Sequence, residues 1–150
     1  MNNALYNMPF RGRSSDKQWR YGYYFAKPIL EKYFILNGEE QWMVEKDTVC
    51  LKSGIPDKNC NELYEGDIVL YPWVNTPCFI KMLIAFENGE FVLKPIHTTC
   101  VDNHAYCSKY YSSECSASCG CIVWDIRLCG ESNNIELIGN IFDNPELMKN

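Results

Sequence analysis

Short apolar runs separated by turn residues constrain the fold of this chain more than any other feature. In "CFIKMLIAFENGEFVLKPI", two alternating runs flank Asn88-Gly89. In "YFILNGEEQWMVE", the flanked dipeptide is Asn37-Gly38, which tight hairpin turns favour because both positions tolerate positive φ. The sequence therefore predicts two β-hairpins, the earlier one with strands at about Lys32–Leu36 and Gln41–Glu45.

Similar patterns occur along the rest of the chain. "FRGRSSDKQWRYGYYFA" predicts a hairpin with its turn near Ser14 to Lys17 and its returning strand at Tyr21–Phe25. "DIVLYPWV" predicts a strand that ends at Pro72, which has no amide hydrogen to donate. "CIVWDIRLC" and "IELIGNIF" predict two more strands, and "DNPELMKN" predicts one short helical turn. The earlier segment "VCLKSGIPDKNCN" predicts a loop with at least two turns.

Length and composition indicate one mainly β domain. A chain of 150 residues is the size of one ordinary domain, and 47% hydrophobic with 22% charged residues is a globular composition. Aromatic residues make up 14%, an enrichment that suits strands and binding surfaces more than helical bundles. We therefore expect a single, hairpin-rich, mainly β domain over residues 1–150.

Charge and hydropathy limit the location and the partners. The chain has no apolar run long enough to span a membrane and no apolar core of a signal peptide, so we expect a cytoplasmic protein without membrane association. The net charge of −5 disfavours non-specific binding to nucleic acid. Nine cysteines cannot all pair internally, and in a reducing cytosol they are free thiols or metal ligands.

Four segments, taken in order, resemble the YopX-like family of phage and prophage proteins. They are "FRGRSSDKQWRYGYYF", "GIPDKNCNELYEGDIV", "IAFENGEFVL" and "IELIGNIFDNPELM". The resemblance implies a small, mainly β protein of a bacterial host cell with a partly open, SH3-like or YopX-like barrel core. It implies no biochemical activity. Cys60-Asn61 departs from the family pattern, which usually has glycine and lysine in this loop.

The stretch "LYEGDIVL" is interpreted as a turn that leads into a strand. Gly66 permits a backbone conformation that other residues resist, and Asp67 can accept hydrogen bonds from nearby amides. Gly66 and Asp67 are therefore predicted to be a structural turn. The alternative is a direct functional role for Glu65 or Asp67.

The stretch "HTTCVDNHAYCSKYYSSECSASCGC" forms an irregular insertion at about 95–121 that is not a hallmark of the family. It contains the thiols and imidazoles that zinc prefers, and a bound Zn ion would order such a long loop. The spacing matches no standard zinc finger, so the alternatives are free thiols packed as small apolar groups, or disulfides in an oxidising environment. No other cofactor is expected. The candidate metal ligands are His97, Cys100, His104, Cys107, Cys115, Cys119 and Cys121.

The N-terminal "FRGRSSDKQWR" interleaves cations with aromatic residues, as a surface for single-stranded nucleic acid requires. A hairpin with solvated charges outside and Trp19 inside has the same composition, so this pattern does not decide between the two. The candidate nucleic-acid-binding residues are Arg11, Arg13, Lys17, Trp19 and Arg20.

The residues for catalysis are few. Both histidines lie in the irregular insertion, and no phosphate-binding loop or nucleophile elbow occurs. We expect a non-enzymatic module that binds a host or phage protein through exposed aromatic residues, since tyrosine and tryptophan are the usual interface anchors. Alternatives are a nucleic-acid-binding module, a small zinc-stabilised binding domain and self-association into a homo-oligomer. The candidate anchors are Trp42, Trp73, Trp124, Tyr106, Tyr110 and Tyr111.

Overall fold

β-Strands make up most of the regular secondary structure in the computed structural model, which describes residues 9–72, 79–96 and 125–149. Within these ranges there is no α-helix, and the helical elements are 3₁₀ turns at Pro28–Leu30, Lys46–Thr48 and Pro145–Met148. The chain divides into two compact units, Met1–Gly54 and Ile55–Asn150.

The first unit is a run of consecutive antiparallel strands. They are β1 (Phe10–Arg13), β2 (Trp19–Lys27), β3 (Lys32–Asn37), β4 (Glu40–Val44) and β5 (Cys50–Pro56), the last of which crosses the boundary at Gly54. β1 pairs with β2, β2 with β3 and β3 with β4, and β5 pairs with the other edge of β1. With β6 (Glu62–Tyr64) the sheet has the order β4-β3-β2-β1-β5-β6.

Two glycines allow the sheet of the first unit to curl. A Cβ on Gly22 would lie 2.1 Å from the carbonyl oxygen of Leu36, and one on Gly12 would lie 3.0 Å from Cγ2 of Val44. Glycine inside a strand commonly marks such a close approach of backbones. The curl returns the end of β4 to the end of β1, where Ser14 and Val44 form a single bridge.

The second unit contains the second antiparallel sheet. Its strands are β7 (Asp67–Pro72), β8 (Phe79–Glu87), β9 (Glu90–Pro95), β10 (Ile126–Arg127) and β11 (Glu136–Asn140), in the order β10-β9-β8-β7-β11. β8 buries the alternate side chains Ile80, Met82 and Ile84, as expected when one face of a sheet covers a core, whereas β7 and β9 also bury consecutive residues. Each fully buried aliphatic side chain contributes roughly 1.5–3 kcal/mol to folding. The buried core residues include Leu63, Val69, Met82, Ile84, Leu93, Leu128 and Ile135.

The predicted mainly β, hairpin-rich fold is confirmed. The strands predicted at Lys32–Leu36 and Gln41–Glu45 are β3 and β4, and the predicted C-terminal turn is the 3₁₀ turn at Pro145–Met148. The structure differs from the prediction at the barrel core. The two sheets of the described residues are not closed into a barrel, because the first sheet returns on itself through one bridge only.

The prediction of a loop between Val49 and Asn61 is wrong for its first half, which forms β5. Ser53-Gly54 and Pro56-Asp57 are turn signals, but Leu51 and Cys50 pair with Phe10 and Arg11 of β1. Pairing with a distant strand overrides local turn preference here.

Several predictions fall on residues that the structure does not describe. The insertion at about 95–121 lies almost entirely outside the described residues, and so do Trp73 and Trp124. Within the described ranges, no helix is long and apolar enough to cross a membrane.

Candidate interaction surface

One face of the first sheet exposes large apolar side chains. Side chains alternate along a strand, so Tyr21, Tyr23 and Phe25 of β2 lie on the same face. Phe25 pairs with Phe34 of β3, which in turn pairs with Met43 of β4, and paired residues share a face. The exposed fractions are 43% for Tyr21, 55% for Tyr23, 44% for Phe25 and 55% for Met43. We call these residues, with Phe34, the aromatic face.

The aromatic face continues to an apolar turn between β2 and β3. Pro28, Ile29 and Leu30 form the 3₁₀ turn, which ends at Glu31 with φ of 51°, in the left-handed region. The exposed fractions are 98% for Ile29 and 60% for Leu30. We call Pro28–Leu30 the apolar tip.

Two lysines lie at the base of the apolar tip. Lys27 and Lys32 are direct partners across β2 and β3. The ammonium of Lys27 lies 5.9 Å from the ring centres of both Phe25 and Phe34, a cation–π distance. The tip therefore combines exposed apolar side chains with positive charge.

An open groove lies beside the aromatic face and the tip. Its volume is about 510 Å³. The ammonium of Lys46 lies 5.6 Å from the ring of Tyr33, so the groove has one cationic wall. The lining residues are Ser15, Glu31, Tyr33, Met43, Val44, Glu45 and Lys46.

The predicted nucleic-acid-binding residues lie together in the N-terminal hairpin, but on two faces. Arg11 and Arg13 pair with Tyr21 and Trp19, and therefore lie on the same face as Tyr21 and Tyr23. The guanidinium of Arg11 lies 4.5 Å from the ring centre of Trp19, and Arg11 is only 6% exposed. Arg20 pairs with Gly12 and lies on the opposite face.

Arg20 takes part in the hydrogen-bond network of the hairpin turn. Its Nη2 lies 2.7 Å from Asp16 Oδ2, and its Nε donates to the hydroxyl of Ser14 at 3.1 Å. Its guanidinium also lies 5.1 Å from the ring of Trp42. The hydroxyl of Ser14, the amide of Gln18 and Arg20 hold the pKa of Asp16 below its usual value, so that this carboxylate stays charged.

Lys17 and Arg13 have partners within the same unit. Lys17 has φ of 64° in the turn, and its ammonium forms an ion pair with Glu45, which lowers the pKa of that carboxyl. The Nε of Arg13 donates to the carbonyl of Lys17 at 3.4 Å, and the amide of Arg13 donates to Thr48 Oγ1 at 2.8 Å. The cations of the hairpin thus form part of its fold.

Gly66 and Asp67 lie in a tight turn of the second unit. Gly66 has φ of 83°, and a Cβ there would lie 3.2 Å from the ring of Phe142. A carboxylate oxygen of the buried Asp67 accepts the amide of Tyr64 at 2.8 Å. The amide of Gly66 donates to the carbonyl of Ile84, and its own carbonyl accepts the amide of Ile141.

Asp57 organises the neighbouring loop, a role that the sequence analysis did not assign. One of its oxygens accepts the amides of Asn59 and Asn61 at 2.9 and 2.8 Å, and the other accepts the amide of Leu137 at 2.9 Å. Burial raises the pKa of Asp57, but the bonds from Leu137, Asn61 and Asn59 outweigh it, so that the pKa lies below the usual 3.8. The signal was present as Pro56-Asp57, a turn dipeptide in which aspartate bonds amides ahead of it.

The candidate zinc ligands from His97 to Cys121 all lie outside the described residues. Within the described ranges, no three His, Cys, Asp or Glu side chains form a group that could hold a metal ion. Cys60 and Cys129 are exposed thiols there, whereas Cys50 is buried and lies 3.2 Å from the carbonyl of Thr48.

Of the six candidate anchors, only Trp42 lies among the described residues, and it is half-buried. The exposed aromatic residues in the described part of the first unit are instead Tyr21, Tyr23, Tyr24 and Phe25, and the second unit exposes Phe79 and Phe86. The alternation in "WRYGYYFAK" placed three of them on one face, but it could not indicate which face of the sheet is exposed.

Comparison with known proteins gives one family and one similar structure. The family model of the YopX protein matches residues 18–149, a range that includes the aromatic face and the apolar tip. No curated protein matches the chain. Among solved crystal structures, protein EF1440 from Enterococcus faecalis is similar, with 18% identity over 95% of this chain and 99% of that chain and a TM-score of 0.47.

Proposed function

The chain belongs to the YopX family, and we propose that it is a non-enzymatic phage or prophage accessory protein that binds a host or phage protein through the aromatic face. The observation that carries this proposal is the exposure of Tyr23, Phe25 and Met43 on one face of the sheet formed by β2, β3 and β4. Aromatic residues and methionine are enriched at the cores of protein interfaces, and tyrosine is a frequent hot spot.

Three described carboxylates are unsuited to act as general acids. General acids at neutral pH need a raised pKa. The pKa values of Asp16, Glu45 and Asp57 are instead lowered, in each case by hydrogen bonds from neighbouring groups. These carboxylates stay charged and act as acceptors that hold turns together.

Affinity capture from bacterial lysate, with and without nuclease, tests the proposal. The bait is the tagged full chain, and the test variant carries Tyr23→Ser and Phe25→Ser. The matched control is Tyr24→Ser, a neighbour on the opposite face that is 37% exposed. We expect the unchanged bait to capture a protein in the presence of nuclease. The amount captured should fall at least about tenfold with the double variant and stay the same with the control. No captured protein, or equal capture by all variants, would contradict the proposal.

We propose nucleic-acid binding as a second candidate because Arg11 and Arg13 share a face with Trp19 and Tyr21. Arg13 is the residue to change, since it is more exposed than the buried Arg11. If this function holds, a fluorescent single-stranded oligonucleotide should bind with an affinity that falls as salt rises, and Arg13→Ala should reduce the salt dependence by about one phosphate contact. Absence of binding at low salt would eliminate this candidate.

A further inference from the structure

We infer that the apolar tip is the recognition element of the aromatic face, and that the partner receives Ile29 and Leu30 in an apolar pocket bordered by carboxylates. This inference rests on the proposed function, because it specifies the partner of the same surface. Ile29 is 98% exposed and Leu30 is 60% exposed, on a 3₁₀ turn whose neighbours on both sides are paired strand residues. At these exposures, Ile29 contributes almost no packing to the fold of the hairpin, and Leu30 contributes only part of what a buried leucine would.

The charges at the base of the tip indicate an acidic partner. Lys27 and Lys32 lie directly opposite each other, and like charges in that position destabilise a sheet. Among the described residues, neither lysine forms an ion pair with a carboxylate, whereas Lys17, Lys58 and Lys94 each do. A partner carboxylate placed between Lys27 and Lys32 would relieve this repulsion on binding.

The groove beside the tip gives the partner a second point of contact. Glu31 belongs both to the end of the tip and to the groove lining, and Met43 belongs both to the lining and to the aromatic face. Lys46 provides a further cation there. A segment seated on the tip therefore continues over the apolar side chains of Met43 and Val44 toward Lys46. Of the two carboxylates in the groove lining, that of Glu45 is paired with Lys17.

A protein fits this arrangement better than a nucleic acid or a lipid surface. At the tip itself, the aliphatic side chains of Ile29 and Leu30 offer nothing to a phosphate and no ring for a base to stack on. Stable membrane anchoring takes two strong signals, such as a lipid chain and a polybasic patch, and two apolar side chains with two lysines provide neither. The carboxylate of Glu31 at the tip would also be repelled by anionic lipid.

Photo-crosslinking of the full chain tests the inference. A benzoylphenylalanine replaces Ile29 in one version and, as a control, replaces the exposed Glu39 at the turn between β3 and β4. After irradiation in lysate, we expect a protein adduct from position 29 and not from position 39. The crosslinked peptide should contain both apolar and acidic residues. Adding Lys27→Glu and Lys32→Glu should reduce the adduct about tenfold, because opposite charges then become like charges.

Several outcomes would overturn the inference. They are no adduct from position 29, an adduct unchanged by the two lysine substitutions, and sedimentation of the protein with vesicles of phosphatidylglycerol and phosphatidylethanolamine. Its failure is distinguishable from that of the proposed function. If a nuclease-resistant protein is captured but position 29 gives no adduct, the aromatic face binds without the tip. If nothing is captured, the proposed function itself fails.

Discussion

Asp57 shows how much of a loop depends on one carboxylate. Its two oxygens accept backbone amides from Asn59, Asn61 and Leu137, which connects the loop to β11. It is 3% exposed. Hydrogen bonds to a charged acceptor contribute more than neutral ones, and a buried donor left without its acceptor carries the full desolvation penalty.

We predict that Asp57→Asn lowers the free energy of unfolding by about 2–3 kcal/mol near neutral pH, because an amide cannot accept all these bonds. The folded-state pKa of Asp57 is lower than 3.8, so its stabilising contribution is complete above that pH and is lost as the pH falls through the folded-state pKa. The difference between the two proteins should therefore shrink in acid. Urea unfolding at several pH values measures it.

The control for this prediction is Asp47→Asn, which changes an exposed aspartate of the first unit. It should alter stability by less than about 0.5 kcal/mol. A pH-independent difference for Asp57→Asn would show that the carboxylate charge is not what stabilises the loop.

Cys60 has φ of 65° in the same loop, in the left-handed region that glycine adopts without strain. A side chain in the left-handed region costs roughly 1–2 kcal/mol, a cost that glycine does not have. We therefore predict that Cys60→Gly stabilises the protein by about 1 kcal/mol in chemical denaturation. Cys129→Gly, at an exposed thiol without positive φ, should be neutral or destabilising. A loss of stability with Cys60→Gly would contradict the strain argument.

At the scale of elements, the hairpins differ in how far the sequence determines them. In the turn between β8 and β9, Asn88 and Gly89 both have positive φ, as the dipeptide predicts. In the turn between β3 and β4, Asn37 is the last paired residue of β3, and only Gly38 has positive φ. The dipeptide therefore predicted that hairpin correctly but placed its turn one residue too early.

Other elements depend on contacts that a sequence pattern does not contain. β5 was missed because its partners in β1 lie about forty residues earlier in the chain. The apolar tip was missed because the exposure of Ile29 depends on how the hairpin projects, which no sequence pattern contains. The aromatic face could be predicted only in part, because alternation places its residues on one face but does not indicate which face is exposed.

The close approach at Gly22 gives a prediction for the first sheet. Gly22→Ala would place a Cβ 2.1 Å from the carbonyl oxygen of Leu36, and backbone cannot move away without breaking the pairing of β2 with β3. We expect the free energy of unfolding to fall by at least about 3 kcal/mol, as measured by thermal unfolding. Gly12→Ala, which meets only side chains, should cost less, about 1–2 kcal/mol. Equal stability of the two variants would refute the backbone clash.

At the scale of the whole molecule, charge is unevenly distributed along the chain. The first unit has eight basic and six acidic residues, a net charge of +2, and the second has six basic and thirteen acidic residues, a net charge of −7. The first unit is therefore mildly basic although the overall charge is −5. If the protein binds an acidic partner through the aromatic face, we therefore expect the association to weaken as salt rises. The zinc site from His97 to Cys121 stays a prediction.

The most direct test of the central claim compares two neighbouring tyrosines. Once a captured partner is purified, isothermal titration calorimetry measures its Kd for the unchanged protein, for Tyr23→Ser and for Tyr24→Ser. Tyr23 lies on the aromatic face and Tyr24 on the other face, where its ring lies 5.7 Å from that of Phe10. We predict that Tyr23→Ser weakens binding by about 2 kcal/mol, or roughly thirtyfold, and that Tyr24→Ser leaves Kd within about threefold. An equal Kd for both variants would contradict the claim that this protein binds through its aromatic face.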